Sequence, residues 1–178
     1  MSQYALIVTM YKKIAIIGCA GSGKTTLALK LKKKLNLPLY HLDQYYWKPN
    51  WERVDAESFA QAHRELCNQD SWIIEGSYTK WLPVRAEAAD CIIFLDVPRM
   101  VCLWRVVKRS FIHRGEEIEG SPKGCFQRIM SRKYFEFLLW IWNYETRNRR
   151  EILAILTQYP HKKVYIVRSE GELPFSMC

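Results

Sequence analysis

The densest chemistry in the chain sits in eight consecutive residues. Gly18-Cys19-Ala20-Gly21-Ser22-Gly23-Lys24-Thr25 reads GxxxxGK[ST] in full. Glycines let the backbone curl until successive N–H groups point inward as an anion nest. A helix opening at the end of the loop adds its positive N-terminal end. At this spacing Lys24 reaches the β- and γ-phosphates of a nucleotide and Thr25 ligates Mg2+, while Gly18, Gly21, Ser22, Gly23 and Thr26 complete the cradle. Cys19 fills a free position and needs no role. The motif carries this meaning only between a buried strand and a helix; elsewhere it is a glycine-rich turn.

The surrounding sequence supplies that setting. Ile14-Ala15-Ile16-Ile17 is a short β-branched run that reads as a buried strand. Residues 24–35 read as a helix with Leu27, Leu31 and Leu35 on one face, stopped by Asn36-Leu37-Pro38. Four further strands are expected at Leu39-Tyr40-His41-Leu42, Trp72-Ile73-Ile74-Glu75, Cys91-Ile92-Ile93-Phe94-Leu95 and Val164-Tyr165-Ile166-Val167. Helices are expected over residues 56–68 and 99–112, with one long aromatic-rich helix over 134–156. In that helix Phe135, Leu138, Leu139, Ile141 and Trp142 read as core. Strands alternating with helices predict an α/β fold: a five-stranded parallel sheet with right-handed crossovers and helices on both faces.

Length and composition fit one domain over 1–178. Residues 1–11 read as an N-terminal extension, because Met10-Tyr11-Lys12-Lys13 forms a second plausible start. Hydrophobic residues make up 49% and charged residues 25%, which excludes a disordered or low-complexity chain. Lys and Arg number 27 against 18 Asp and Glu, a net charge of +9 that favours polyanionic partners: nucleotides, nucleic acid or an acidic membrane. No apolar run reaches the length of a membrane span. Six cysteines without a CxxC pair argue against zinc and fit free thiols in a reducing cytoplasm.

Other phosphate-loop classes lose their signatures. The chain has no Asn-Lys-x-Asp or DxxG motif of GTPases and no Leu-Ser-Gly-Gly of ABC transporters, and it is too short for a helicase or AAA+ core with accessories. A compact kinase of small molecules is left. At family level the chain resembles the bacterial DNA topology modulation proteins, which are similar to adenylate kinases. The likeness is carried by Lys13 to Thr26, Tyr40-His41-Leu42-Asp43, Trp47-Lys48-Pro49-Asn50-Trp51, Trp72 to Tyr78, Ile93-Phe94-Leu95-Asp96-Val97-Pro98-Arg99, the Arg105 to Arg109 helix and Trp140-Ile141-Trp142-Asn143-Tyr144.

That resemblance implies roles for particular positions. Arg105 and Arg109 correspond to the two arginines at the start of a lid, one stacking on the ATP adenine and the other meeting phosphate; read alone, they could solvate a helix face beside Lys108, but guanidinium planes suit stacking and bidentate phosphate contact better. Gly76-Ser77-Tyr78 corresponds to the stretch that lets the acceptor approach the backbone. Arg85 would then grip an acceptor phosphate, or else be a surface arginine. Asp43 and Glu75 stand at strand ends, where ligands gather in such sheets. There they hold Mg2+ or orient the acceptor hydroxyl, or else act as a turn cap and a surface charge. Trp47, Trp51, Tyr45 and Tyr46 either wall the acceptor pocket or pack beneath a loop.

Residues from about 112 to 133, with three glycines between His113 and Cys125, read as a mobile lid. Beyond it, Arg147 is the candidate from the long helix to stabilise charge on the transferring phosphoryl group. The sequence thus predicts a P-loop kinase using ATP and Mg2+ on a small acceptor, a nucleotide or nucleoside. The rival is a nucleotide-binding regulator acting on DNA topology with little turnover.

Overall fold

The computed structural model describes residues 11–113, 115–116, 120–126 and 131–173. Strands β1 (Lys13–Gly18), β2 (Leu39–His41), β5 (Trp72–Glu75), β6 (Cys91–Leu95) and β7 (Lys163–Val167) form one parallel sheet in the order β2-β5-β1-β6-β7. The three inner strands are almost wholly buried, as unbroken apolar runs require when both faces are covered. Ile14, Ile16, Ile74, Ile93 and Phe94 are each 0% exposed.

Helix α1 (Lys24–Leu35) lies against β1, β2 and β5, burying Leu27, Ala28 and Leu31. It closes on Asn36, whose left-handed backbone returns its N–H to the Lys32 carbonyl. The chain moves from β1 outward to β2, then back through α3 (Ala56–Cys67) to β5 and through α4 (Leu82–Ala88) to β6. Right-handed crossovers in opposite directions put α1 on one face and α3 with α4 on the other. Phe59, His63 and Leu66 form the buried side of α3, as their spacing predicts.

The expected strand 39–42 ends one residue early, because Leu42 starts the short helix α2 (Asp43–Tyr46). A hairpin absent from the sequence reading follows: β3 (Trp47–Lys48) pairs antiparallel with β4 (Glu52–Arg53) across a tight Pro49–Trp51 turn. Helix α5 (Arg99–Ile112) has the expected bounds.

The expected long helix is two: α6 (Arg132–Asn143) and α7 (Asn148–Leu156). The Thr146 hydroxyl bonds the Asn143 carbonyl at 3.0 Å, and the Arg149 backbone N–H reaches five residues back to the Tyr144 carbonyl at 2.9 Å, so one side-chain bond and one wide backbone bond interrupt the regular helical ladder between them. The core expected on this helix is also divided. Ile141 is buried and Phe137, Leu138 and Trp140 pack against the core, but Phe135, Leu139 and Trp142 are 57%, 59% and 44% exposed. Apolar residues surround α6 on all sides, while its contact with α5 and the core buries one stripe.

Candidate functional site

The loop from Gly18 to Thr25 joins β1 to α1 at the C-terminal edge of the sheet. Gly21 makes it possible: φ is +79°, and a Cβ there would stand 2.5 Å from the Cys102 carbonyl oxygen. The Ser22 N–H closes a turn on the Cys19 carbonyl at 3.1 Å. The Lys24 ammonium crosses the loop to donate to that same carbonyl at 2.8 Å. Ser22 Oγ is buried and, among the described residues, has no hydrogen-bond partner. Thr26, one residue past the motif, is exposed.

β2 and β5 end side by side, with His41 in register with Glu75. The Glu75 Oε1 oxygen takes two bonds, from the His41 ring at Nδ1 (2.7 Å) and from the Thr25 hydroxyl (3.1 Å). Burial pushes the Glu75 carboxyl up, but His41, Lys24 and Thr25 outweigh it and hold it below the usual carboxylate value. An ionised carboxylate only accepts, so Nδ1 carries the ring hydrogen facing it. The Thr25 hydrogen is spent on Glu75, which leaves the lone pairs of its oxygen for a cation.

Asp43 opens α2 beside this cluster and accepts a 2.5 Å hydrogen bond from the Tyr78 hydroxyl. Asp43 is exposed as a residue, yet protein atoms crowding its carboxyl and the nearby Glu75 carboxylate raise its pKa, with Tyr78, Lys24 and His41 pulling the other way. Gly76 and Tyr78 follow β5, and Trp47 lies beyond α2 with its ring edge-on to Tyr46 at 5.0 Å. Arg109 enters from α5. Burial lowers its pKa against the opposing pull of Asp43, Glu75 and Tyr134, and its Nε is a buried donor without a partner among the described residues. Arg105, one turn earlier, is exposed, with Nη1 3.5 Å from the Gly21 and Ser22 carbonyls.

Arg85, expected at an acceptor phosphate, stands elsewhere. Arg85 is 0% exposed, so it does not grip a soluble phosphate in this conformation. Its guanidinium instead bonds the Gly76 and Ser77 carbonyls at 2.9 and 3.2 Å and fixes the turn after β5 from beneath. Dehydration lowers its pKa to about 10. Arg147 sits exposed in the turn between α6 and α7. The cation that turn fixes is Arg149, whose two nitrogens each reach an Asp96 oxygen at 2.7 Å, tying α7 to the end of β6.

Of the lid expected at about 112–133, residues 114, 117–119 and 127–130 lie outside the described residues, as does the expected extension 1–11 apart from Tyr11. Residues 120–126 dock on both sides of the cleft. A Cβ on Gly120 would stand 3.0 Å from His41 Nδ1 and from Thr25 Cγ2. The Asn50 N–H bonds the Gly124 carbonyl at 3.1 Å, and the Trp51 indole bonds the Phe126 carbonyl at 3.0 Å. Buried Cys125 reaches the Lys48 carbonyl at 3.2 Å. The described part of this segment thus has more anchors than its composition implies.

The donor set fits Mg2+: one hydroxyl and two carboxylates are hard oxygen ligands, and no cluster of three or more His, Cys, Asp or Glu among the described residues forms a closed cage. Mg2+ usually takes one or two protein ligands and completes its shell with water and phosphate oxygens.

A family profile described as an AAA domain matches residues 14–120. The chain belongs to that family. The match spans the loop, the Asp43 and Glu75 strand ends and the Arg105–Arg109 helix. The chain is too short for an AAA+ core with accessories, and the AAA description applies to residues 14–120. "Uncharacterized protein YqaC" of Bacillus subtilis (strain 168) is 32% identical over 113 residues, 61% of this chain. The chain spans 62% of that relative's length. Shikimate kinase from Aquifex aeolicus shares 17% identity at a TM-score of 0.52, covering 91% of this chain and 87% of its own. A sugar kinase from Janibacter sp. HTCC2649 shares 17% at 0.51, covering 88% and 84%. Shikimate kinase from Bacteroides thetaiotaomicron shares 17% at 0.52, covering 94% and 92%. The fold is that of the P-loop kinases. No helix among the described residues is long and apolar enough to cross a membrane.

Proposed function

We propose that the chain is a kinase that moves the γ-phosphoryl group of Mg·ATP onto a hydroxyl of a small acceptor, a nucleoside or nucleotide. One observation carries this: the loop, the Thr25–Glu75 pair, Asp43 and Arg109 converge at one edge of the sheet.

Lys24 exchanges the Cys19 carbonyl for phosphate oxygens, and the loop N–H groups take the rest. Thr25 and the neighbouring Glu75 carboxylate would hold Mg2+, which would neutralise charge on the β- and γ-phosphates when bound. Arg109, with its orphaned Nε, meets charge developing on the transferring group, and Arg105 flanks the loop from the exposed side. Asp43 orients the acceptor hydroxyl and takes its proton as the acceptor oxygen bonds to phosphorus. The bond from phosphorus to the β,γ-bridging oxygen breaks, and ADP leaves. The raised pKa of Asp43 brings it nearer the value useful to a base. The aromatic groups at Trp47, Tyr46 and Tyr78 offer faces for a base or sugar. The finer likeness to DNA topology modulation proteins rests on the sequence motifs quoted above.

A coupled ADP-release screen with Mg·ATP across nucleosides, nucleotides and small hydroxyl compounds tests the reading. ADP release should require an acceptor and vanish in Lys24→Ala, along with most of the ATP-induced rise in melting temperature. Release that ignores every acceptor, or an unchanged thermal shift in Lys24→Ala, would reject it.

A further inference from the structure

His41 has no part in the phosphate-loop motif, yet it stands at the junction of three functional elements. It is 8% exposed and shares its strand end with Glu75, 34 residues away in sequence. Its Nδ1 donates to the Glu75 oxygen that also accepts from Thr25. The same ring is the surface against which Gly120 seats: φ there is +82°, and a Cβ would come within 3.0 Å of Nδ1. A side chain at 120 would be strained by its backbone and would press on His41 and Thr25 together.

Removing the ring hydrogen bond frees Glu75 to rotate. The Thr25 hydroxyl would then lose the acceptor that fixes its orientation. Metal-ligating groups depend on such outer partners, whose loss typically costs 10–100-fold in metal affinity. The lid would lose its seat at the same point.

We propose that His41 is a positioning residue that acts through Glu75 on Thr25, setting the affinity for the divalent cation of the nucleotide complex and seating the lid at Gly120. The proposal rests on the kinase reading above.

Thermal unfolding of wild type, His41→Asn, His41→Gln and His41→Leu separates the possibilities. Each is measured with ATP and EDTA, then with ATP and rising Mg2+. The metal-free ATP shift should be the same in all four. The Mg2+ concentration giving half of the additional shift should rise about tenfold or more in the Leu and Gln variants. It should return to the wild-type range in His41→Asn, whose amide N–H stands close to where Nδ1 does. Turnover should follow, with a lower kcat at fixed Mg2+ and little change in acceptor KM. Gln keeps the measurement possible if the Leu variant does not fold. An unchanged Mg2+ requirement in Gln and Leu, or an equal rise in Asn, overturns the proposal. A wild type without any ATP-dependent shift overturns the kinase reading itself, an outcome distinct from both.

Discussion

Asp43 and Glu75 are both carboxylates at strand ends, yet their surroundings drive their pKa values apart. Buried Glu75 is held below the usual carboxylate value by His41, Lys24 and Thr25, while Asp43, exposed as a residue, is raised by the atoms crowding its carboxyl and by Glu75 itself. In the proposed kinase that separation divides the labour: Glu75 would serve the cation side, and Asp43 the proton on the acceptor side. Asp43→Asn keeps the shape and the Tyr78 contact but removes the basic oxygen. It should lower single-turnover rate by about 10²-fold or more while ATP affinity stays within roughly twofold. Weakened ATP binding with an intact single-turnover rate would reduce Asp43 to a ground-state contact. Lys24 and Thr25 were legible in the sequence because the loop is local, each role following from its offset along eight residues. The His41–Glu75 bond was not, because it depends on the register of two strands far apart in the chain. The one available signal was that both residues close strands ending at the same sheet edge. Arg85 misled for a related reason: its residue type implies phosphate, but only packing shows that it lies beneath the turn it supports.

Elements followed local pattern closely where a strand is one unbroken apolar run or a helix buries a single stripe. The strands and α1, α3 and α5 appear within a residue or so of their expected bounds, since period and caps decide them. The 134–156 segment failed because its apolar residues do not mark a single stripe, and because the break comes from the Thr146 and Tyr144 bonds rather than from Gly or Pro. Helix α3 carries a consequence for stability. His63 is 0% exposed, stacked near Phe59, and burial together with Arg85 and Arg64 lowers its pKa to about 3. The folded state therefore holds it neutral, while the unfolded chain protonates it near 6.5. Its contribution is intact above about pH 6.5 and is lost as pH falls from there toward 3. At pH 5 the loss is about 2 kcal/mol. Denaturant unfolding at pH 7.5 and 5.0 should show this drop in wild type and a clearly smaller one in His63→Met. Equal drops in both proteins would assign the acid sensitivity to other groups.

At the scale of the whole molecule, a net charge of +9 serves a nucleotide site and a nucleic-acid surface alike, so charge alone does not choose between kinase and DNA regulator. The placement of the cations does. Arg109 is half-buried, with its Nε enclosed and Asp43 and Glu75 close enough to act on it, so it is turned toward the cleft and away from a duplex. Arg105 is exposed, against the sequence-based expectation that both arginines of the pair face the nucleotide, and is the poorer discriminator. Arg109→Ala should therefore lower kcat/KM for phosphoryl transfer by about 10²-fold or more, as loss of a group that meets transition-state charge does. Any DNA association should keep its affinity and its salt dependence, because phosphate contacts made by exposed lysines and arginines release the same counterions in the variant as in the wild type. A DNA regulator that used this helix would behave in the opposite way: affinity would fall for all sequences alike and the salt slope would flatten by about one unit. Both quantities are read on the same purified variant, turnover by ADP release and association by fluorescence anisotropy on a labelled duplex across a salt series. A flattened slope with undiminished phosphoryl transfer would move Arg109 from the cleft to the DNA surface and leave only the fold of the kinase reading standing.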